Sequence, residues 1–143
     1  MRIPAKFTPE KTCAYLFATV HVNGLAHKIS LIIDTGSSVT TLSHWDATIL
    51  GINTSTLRRR TEPSLTYAGR VRPFRLGGVD FIITEESGNL VLEYLEEVDI
   101  LPSTGDKNLD EALPSVLGMD FLNECSYALC VCPKENEAFL EKC

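Results

Sequence analysis

Asp34 stands where an apolar run, Leu31-Ile32-Ile33, meets a turn of small residues, Thr35-Gly36-Ser37-Ser38; a second β-prone run, Val39-Thr40-Thr41-Leu42, follows. A carboxylate at the end of a buried strand is costly to desolvate unless hydrogen-bond donors surround it, and this turn is rich in donors. Two kinds of chemistry fit the pattern. In one, Asp34 bonds its own backbone in an Asx-type turn between strands. In the other it is a general acid–base, exchanging a proton with water or with a carbonyl oxygen. The lead-in of Ile32 and Ile33 and the hydroxyl of Ser37 favour the catalytic acid.

Other reactive side chains form weaker patterns. Cys130 and Cys132 share a face if they lie on a strand, and with Cys125 and Cys143 they could gather zinc. No C-x-x-C pair or neighbouring histidine completes a zinc spacing, so no metal or cofactor is expected. Five cysteines is an odd number, which argues against a disulfide framework. His27 and His44 have no partner at metal-site spacing and are read as structural or solvated. Arg58-Arg59-Arg60, the one dense basic run, is read as solvated surface. The formal charge of −6 argues against nucleic acid as a partner.

The elements that would position Asp34 are mostly strands. The chain has 143 residues, of which 44% are hydrophobic, and reads as a single domain over 1–143 with a real core. Its apolar runs are too short to span a membrane. Met1 to Lys6 lacks the apolar stretch of a signal peptide, so a cytoplasmic location is expected. Residues 1–12 read as an extended arm. Ala14 to Val22 and Leu25 to Ile33 form a hairpin about Asn23-Gly24 whose second strand presents Asp34. Ser43 reads as the N-cap of a short helix, with Asp46 three residues on and Gly51 as its stop. Further β runs surround Gly69 and Gly77-Gly78, both read as hairpin turns, and Ser87-Gly88-Asn89 turns into a strand over Leu90 to Leu101. Pro102 to Leu113 reads as a polar loop. Pro114 to Leu117 is a short strand reaching Gly118, with a helix after it. The sum is mainly β: a closed barrel of hairpins with one or two short helices.

In that order the residues resemble the retropepsin-like aspartic proteases, single-domain relatives of pepsin. The resemblance rests on the signature Ile32 to Ser38, on a candidate flap hairpin at Tyr67-Ala68-Gly69-Arg70, and on the block Val116-Leu117-Gly118-Met119-Asp120-Phe121-Leu122. It covers roughly residues 14–132. It implies an acid-protease-type barrel and an aspartic endopeptidase acting on a peptide or protein substrate. The chain has one Asp-Thr-Gly and no second Asp-x-Gly. A pair of carboxyls sharing one proton therefore implies a homodimer with one Asp34 from each chain. A catalytically silent dimeric peptide-binding module with the same fold is the alternative.

The resemblance also assigns supporting roles. Thr35 would bond across the dimer axis, Gly36 would let backbone approach the carboxylate, and the Ser37 hydroxyl would donate to Asp34, favouring its ionised form and more acidic activity. Tyr67, Ala68 and Gly69 would close over substrate. Leu117 and Gly118 would pack behind the catalytic turn, and Asp120 would be a helix N-terminal acid rather than a catalytic one. Residues near the N-terminus and Ala138 to Cys143 would interleave across the dimer.

Overall fold

A computed structural model describes residues 1–66 and 69–143. After two short strands, β1 (Arg2–Pro4) and β2 (Lys6–Phe7), the chain forms the hairpin β3 (Ala14–Val22) and β4 (Leu25–Ile33). Strand β3 alternates as a half-buried strand must, with Ala14, Leu16, Ala18, Val20 and Val22 inward. Its turn has positive φ at both Asn23 (49°) and Gly24 (77°), which matches the twist of the flanking strands. Next come β5 (Thr41–Leu42), α1 (His44–Leu50), β6 (Arg58–Arg59), a small hairpin of β7 (Ser64–Thr66) and β8 (Gly69–Val71), and a long one of β9 (Phe74–Thr84) and β10 (Leu90–Ile100). The chain ends with α2 (Lys107–Ala112), β11 (Ser115–Leu117), α3 (Met119–Glu124), β12 (Tyr127–Cys132) and β13 (Glu137–Lys142).

The large sheet runs β2-β3-β4-β11-β5-β10-β9-β6, and β9 also pairs with β3. That last pairing, Val20 opposite Phe81, closes β3-β4-β11-β5-β10-β9 into a barrel. Closure removes the open edges between these strands where they pair. Leu31, Phe81, Leu95, Ile100 and Leu117 fill the interior. Helix α3 plugs one end: Phe121 meets Phe81 edge-on at 5.5 Å and stacks on Tyr127 at 5.8 Å.

Three expectations are corrected. Gly77-Gly78 is no hairpin turn. Both glycines lie inside β9, because Leu76 and Val79 pair with Val98 and Leu95 of β10 on either side of them. The positive φ of Gly78 (68°) is absorbed as one missing pair in the ladder. Second, Pro102 to Leu113 is only partly loop. Asp106 caps α2 by accepting from the amides of Asn108 and Leu109. Third, the termini pair within one chain. Arg2, Ile3 and Pro4 lie opposite Glu141, Leu140 and Phe139, in a three-stranded sheet β1-β13-β12. The side chain of Ile3 is fully buried, so the start of the arm packs into its own chain's folded unit.

The cap of α1 is as expected at Ser43, whose side chain accepts from the Asp46 amide, and Gly51 ends the helix at φ 89°. Asp46 does not reach back to the Ser43 amide as a full capping box would. Ser115 stands between them: its hydroxyl accepts from Ser43 N at 2.9 Å and donates to Asp46 Oδ2 at 2.5 Å. The helix is thereby fastened to β11, the strand that lies beside Asp34's own.

Candidate active site

Strand β4 carries Asp34 out of the middle of the sheet. It runs parallel to β11, with Ile32 opposite Val116 and Ile33 opposite Leu117. The ladder extends one residue further, as Asp34 N donates to Leu117 O at 3.0 Å. The chain then turns, with Ser37 N donating to Asp34 O at 3.1 Å. Inside this turn Gly36 N donates to the carboxylate Oδ1 of Asp34 at 2.8 Å. A Cβ on Gly36 would stand 3.1 Å from that same oxygen, a tight contact that glycine avoids. An amide donor of this kind fixes the orientation of the carboxylate.

The Ser37 hydroxyl does not make the expected bond to Asp34. It donates to Val39 O at 2.9 Å, closing the next turn of the loop. The backbone amide of Gly36 takes the place the hydroxyl was expected to fill.

Behind the turn, the Leu117-Gly118 block holds the loop from below. Met119 N donates to Ser37 O at 2.8 Å and Asp120 N to Ser38 O at 3.2 Å, so the first turn of α3 satisfies the loop's carbonyls. A Cβ on Gly118 would lie 2.7 Å from the Val39 carbonyl carbon and 2.9 Å from Ser37 O. These are backbone atoms that cannot move aside cheaply, so the packing role expected of Gly118 has a steric basis. Asp120, an acid in the first turn of α3, also braces the loop. Its carboxylate accepts from Thr40 N at 2.9 Å, Thr40 Oγ1 at 2.7 Å and Phe121 N at 2.8 Å. Thr40 Oγ1 in turn accepts from Gly118 N at 3.0 Å. Thr40 is fully buried and was not singled out in the sequence. Its partners lie about eighty residues away along the chain, and locally it is one more β-branched residue in a strand.

Asp34, Gly36 and Ser37 line a cleft of about 200 Å³ together with Thr41, Leu65, Thr66, Leu101 and Val116. A second hollow of about 130 Å³ shares Gly36, Ser37 and Leu65 with it and extends to Pro73 and Asp99. The β7–β8 hairpin stands over both, with Leu65 opposite Arg70 and Thr66 opposite Gly69. Gly69 has φ 94°. Tyr67 and Ala68, expected at the tip, lie outside the described residues. Thr35 lines a neighbouring hollow of about 320 Å³ that also touches Asp34. It is exposed and also lines an open hollow of about 520 Å³ with Met119, Leu122 and Leu129.

The feet of the hairpin are tied to each other and to the barrel. Arg60 N donates to Pro73 O at 2.9 Å, and the Arg59 guanidinium donates to Arg72 O at 2.9 and 3.1 Å. Arg60 Nε reaches Asp99 Oδ1 at 2.7 Å and its terminal nitrogen reaches Glu97 at 3.0 Å. Burial pushes the Asp99 carboxyl above its ordinary value, against the opposing pull of Arg60. Arg75, hydrogen-bonded to Glu97, holds that carboxyl below its usual range.

All five cysteines are free thiols. Among the described residues no three histidine, cysteine or acidic side chains come together to hold a metal. Cys125 is buried, and its thiol is pushed up to about 12 by desolvation and by Glu93. His27 is exposed and bonds the Lys28 carbonyl.

With the loop, the cleft and the barrel in place, the family follows. A model of the aspartyl protease family matches residues 18–121, and the chain belongs to that family. No curated protein sequence matches it. Among solved structures it is similar to a retropepsin-like aspartic protease from Rickettsia conorii. That protein is 20% identical, and the alignment covers 99% of this chain and 89% of that one with a TM-score of 0.65. It is also similar to the EIAV protease complexed with the inhibitor HBY-793. Here identity is 13% and coverage is 87% of this chain and 98% of that one, with a TM-score of 0.53. The fold is that of the retropepsin-like aspartic proteases.

Proposed function

We propose that this chain is an aspartic endopeptidase, active as a homodimer in which one Asp34 from each protomer completes the site. One observation carries the reading. The Asp34 carboxylate is fixed by the Gly36 amide at the mouth of a cleft roofed by a hairpin, and each chain supplies one such loop. Two such carboxyls facing each other would share a single proton. The ionised one takes a proton from water as the water oxygen bonds the peptide carbonyl carbon. The protonated one gives its proton to the carbonyl oxygen. The tetrahedral intermediate then collapses, the C–N bond breaks, and the amine leaves with a proton returned through the dyad. The cleft suits an extended peptide, with Leu65 and Thr66 above and Val116 and Leu101 on the walls.

The exposed position of Thr35 supports the dimer. Around it lie Met119 and Val131, 42% and 45% exposed, and the half-buried Leu129. A second copy related by a two-fold axis would cover this apolar face and bring both loops together. The test compares wild type with Asp34→Asn on a diverse peptide library from acidic to neutral pH. Cleavage by wild type that falls at least about a hundredfold in the variant is expected. Equal cleavage by both proteins would reject the site, and binding without cleavage by wild type would favour a silent peptide-binding module.

A further inference from the structure

Charge is distributed unevenly in this acidic chain. Residues 58–75 hold six arginines (Arg58, Arg59, Arg60, Arg70, Arg72 and Arg75) and a single acid, Glu62, in a protein whose formal charge is −6. Arg60 and Arg75 are neutralised by Glu97 and Asp99. Arg58, Arg59, Arg70 and Arg72 are exposed and, among the described residues, pair with no carboxylate. Arg59 and Arg72 are tethered to backbone carbonyls of the hairpin feet, which gathers their charges there. Arg58 lies directly opposite Arg75 across the β6–β9 pair. Arg59, Arg60 and Arg72 thus have structural partners, whereas Arg58 and Arg70 hold no ion pair among the described residues.

The strip sits where a cleft ligand would pass. Arg70 is the cross-strand partner of Leu65, so the two side chains share a face of the hairpin, and Leu65 lines the cleft with Asp34. Pro73, between Arg72 and Phe74, lines the adjoining hollow. An elongated ligand leaving the cleft beneath the hairpin would therefore meet Arg70 first, with the hairpin feet that hold Arg59 and Arg72 beyond it.

We infer that this arginine strip recognises an acidic stretch, rich in Asp and Glu, flanking the segment of substrate held in the cleft. It acts as a steering and specificity surface for the proposed peptidase. A strip of four guanidinium groups on a chain that is acidic elsewhere suits a short acidic peptide. It does not suit a nucleic acid, whose long polyanion would meet the remaining negative surface. The cleavage part of the inference rests on the endopeptidase reading, and the binding part does not.

The test uses the full chain carrying Asp34→Asn and two fluorescent peptide libraries with the same random core, one with Asp/Glu flanks and one with Gln/Asn flanks. The acidic library is expected to bind about tenfold more tightly at about 50 mM salt, with the advantage shrinking at about 300 mM. The double variant Arg58→Glu/Arg70→Glu should lose that advantage while still unfolding in one cooperative thermal transition, which shows that it is folded. Among the described residues neither side chain makes an ion pair or hydrogen bond, and Arg58→Gln/Arg70→Gln should fall between the two. Equal binding of the two libraries, no binding of either, an advantage that the double variant keeps, or tighter binding of a single-stranded oligonucleotide of equal charge would each overturn the inference. Cleavage of the same libraries by the Asp34 protein is read separately. Acidic binding without cleavage counts against the peptidase and leaves the strip standing.

Discussion

Around Asp34, the orientation of one carboxylate depends on which neighbour supplies its donor. The sequence offers two, the Ser37 hydroxyl and the amides of the turn. A serine hydroxyl has one proton and several acceptors within reach, so its choice is decided by backbone geometry that the residue type does not disclose. In the fold the choice is Val39 O, and Gly36 N serves Asp34. This reverses what Ser37→Ala should do. The variant loses a loop bond, so a decrease of about 0.5–1.5 kcal/mol in unfolding free energy is expected. The acidic limb of the pH–rate profile should not move, because the hydroxyl that is removed bonds Val39 O and not Asp34. Parallel chemical denaturation and pH–rate profiles check both halves, and a limb displaced toward neutral pH would restore a direct bond from Ser37 to Asp34. Asp34 itself was legible because its signature is contiguous. Thr40 was not, because its meaning lies in Asp120 and Gly118, which the chain brings back only through β11 and α3.

Among the elements, those specified by local chemistry were readable and those decided by pairing were not. Asn23-Gly24 makes the β3–β4 hairpin by itself. Gly77-Gly78 carries an equally strong turn signal, yet β10 pairs on both sides of it and the strand continues. Helix α2 escaped notice because six residues give too short a window for a 3.6-residue period, although its cap Asp106 stood in plain view. That helix carries a pH-dependent anchor. Asp110 accepts from Ser103 Oγ at 2.6 Å, Thr104 N at 2.8 Å and Thr104 Oγ1 at 2.7 Å, fastening the segment that follows Leu101 out of the cleft. These bonds, that from Ser103 foremost, hold its carboxyl below the ordinary 3.8. A carboxyl lowered by folding stabilises fully above its unfolded value, and that contribution is lost as pH falls through the folded one. Asp110→Asn should therefore lower the melting temperature most near neutrality. The gap to wild type should narrow below pH 3.8, as a melting series across pH would record. A gap independent of pH would mean that the bonds do not depend on the charge.

For the molecule as a whole, the question is how one loop per chain becomes a site. The closed barrel and the three-stranded sheet of β1, β13 and β12 are complete within one chain, so a partner is not needed to finish the fold. The loop is different. Its outer residue Thr35 is exposed, and the half-buried Asp34 has a donor on one oxygen, from Gly36. Because the termini are already paired internally, dimerisation would rest on the face around Thr35, Met119 and Val131 rather than on exchanged strands. Such an association would be reversible, and subunits would mix. That makes the shared dyad measurable without a dimer structure. Wild-type protein at fixed concentration is incubated with an equal amount of Asp34→Asn until subunits have exchanged. Random pairing leaves about half of the wild-type chains in dimers with two aspartates, so activity should fall to about half, and further as more variant is added. A chain that worked alone would keep its full rate whatever the amount of variant, and that result would reject the two-chain mechanism even if Asp34 proved essential.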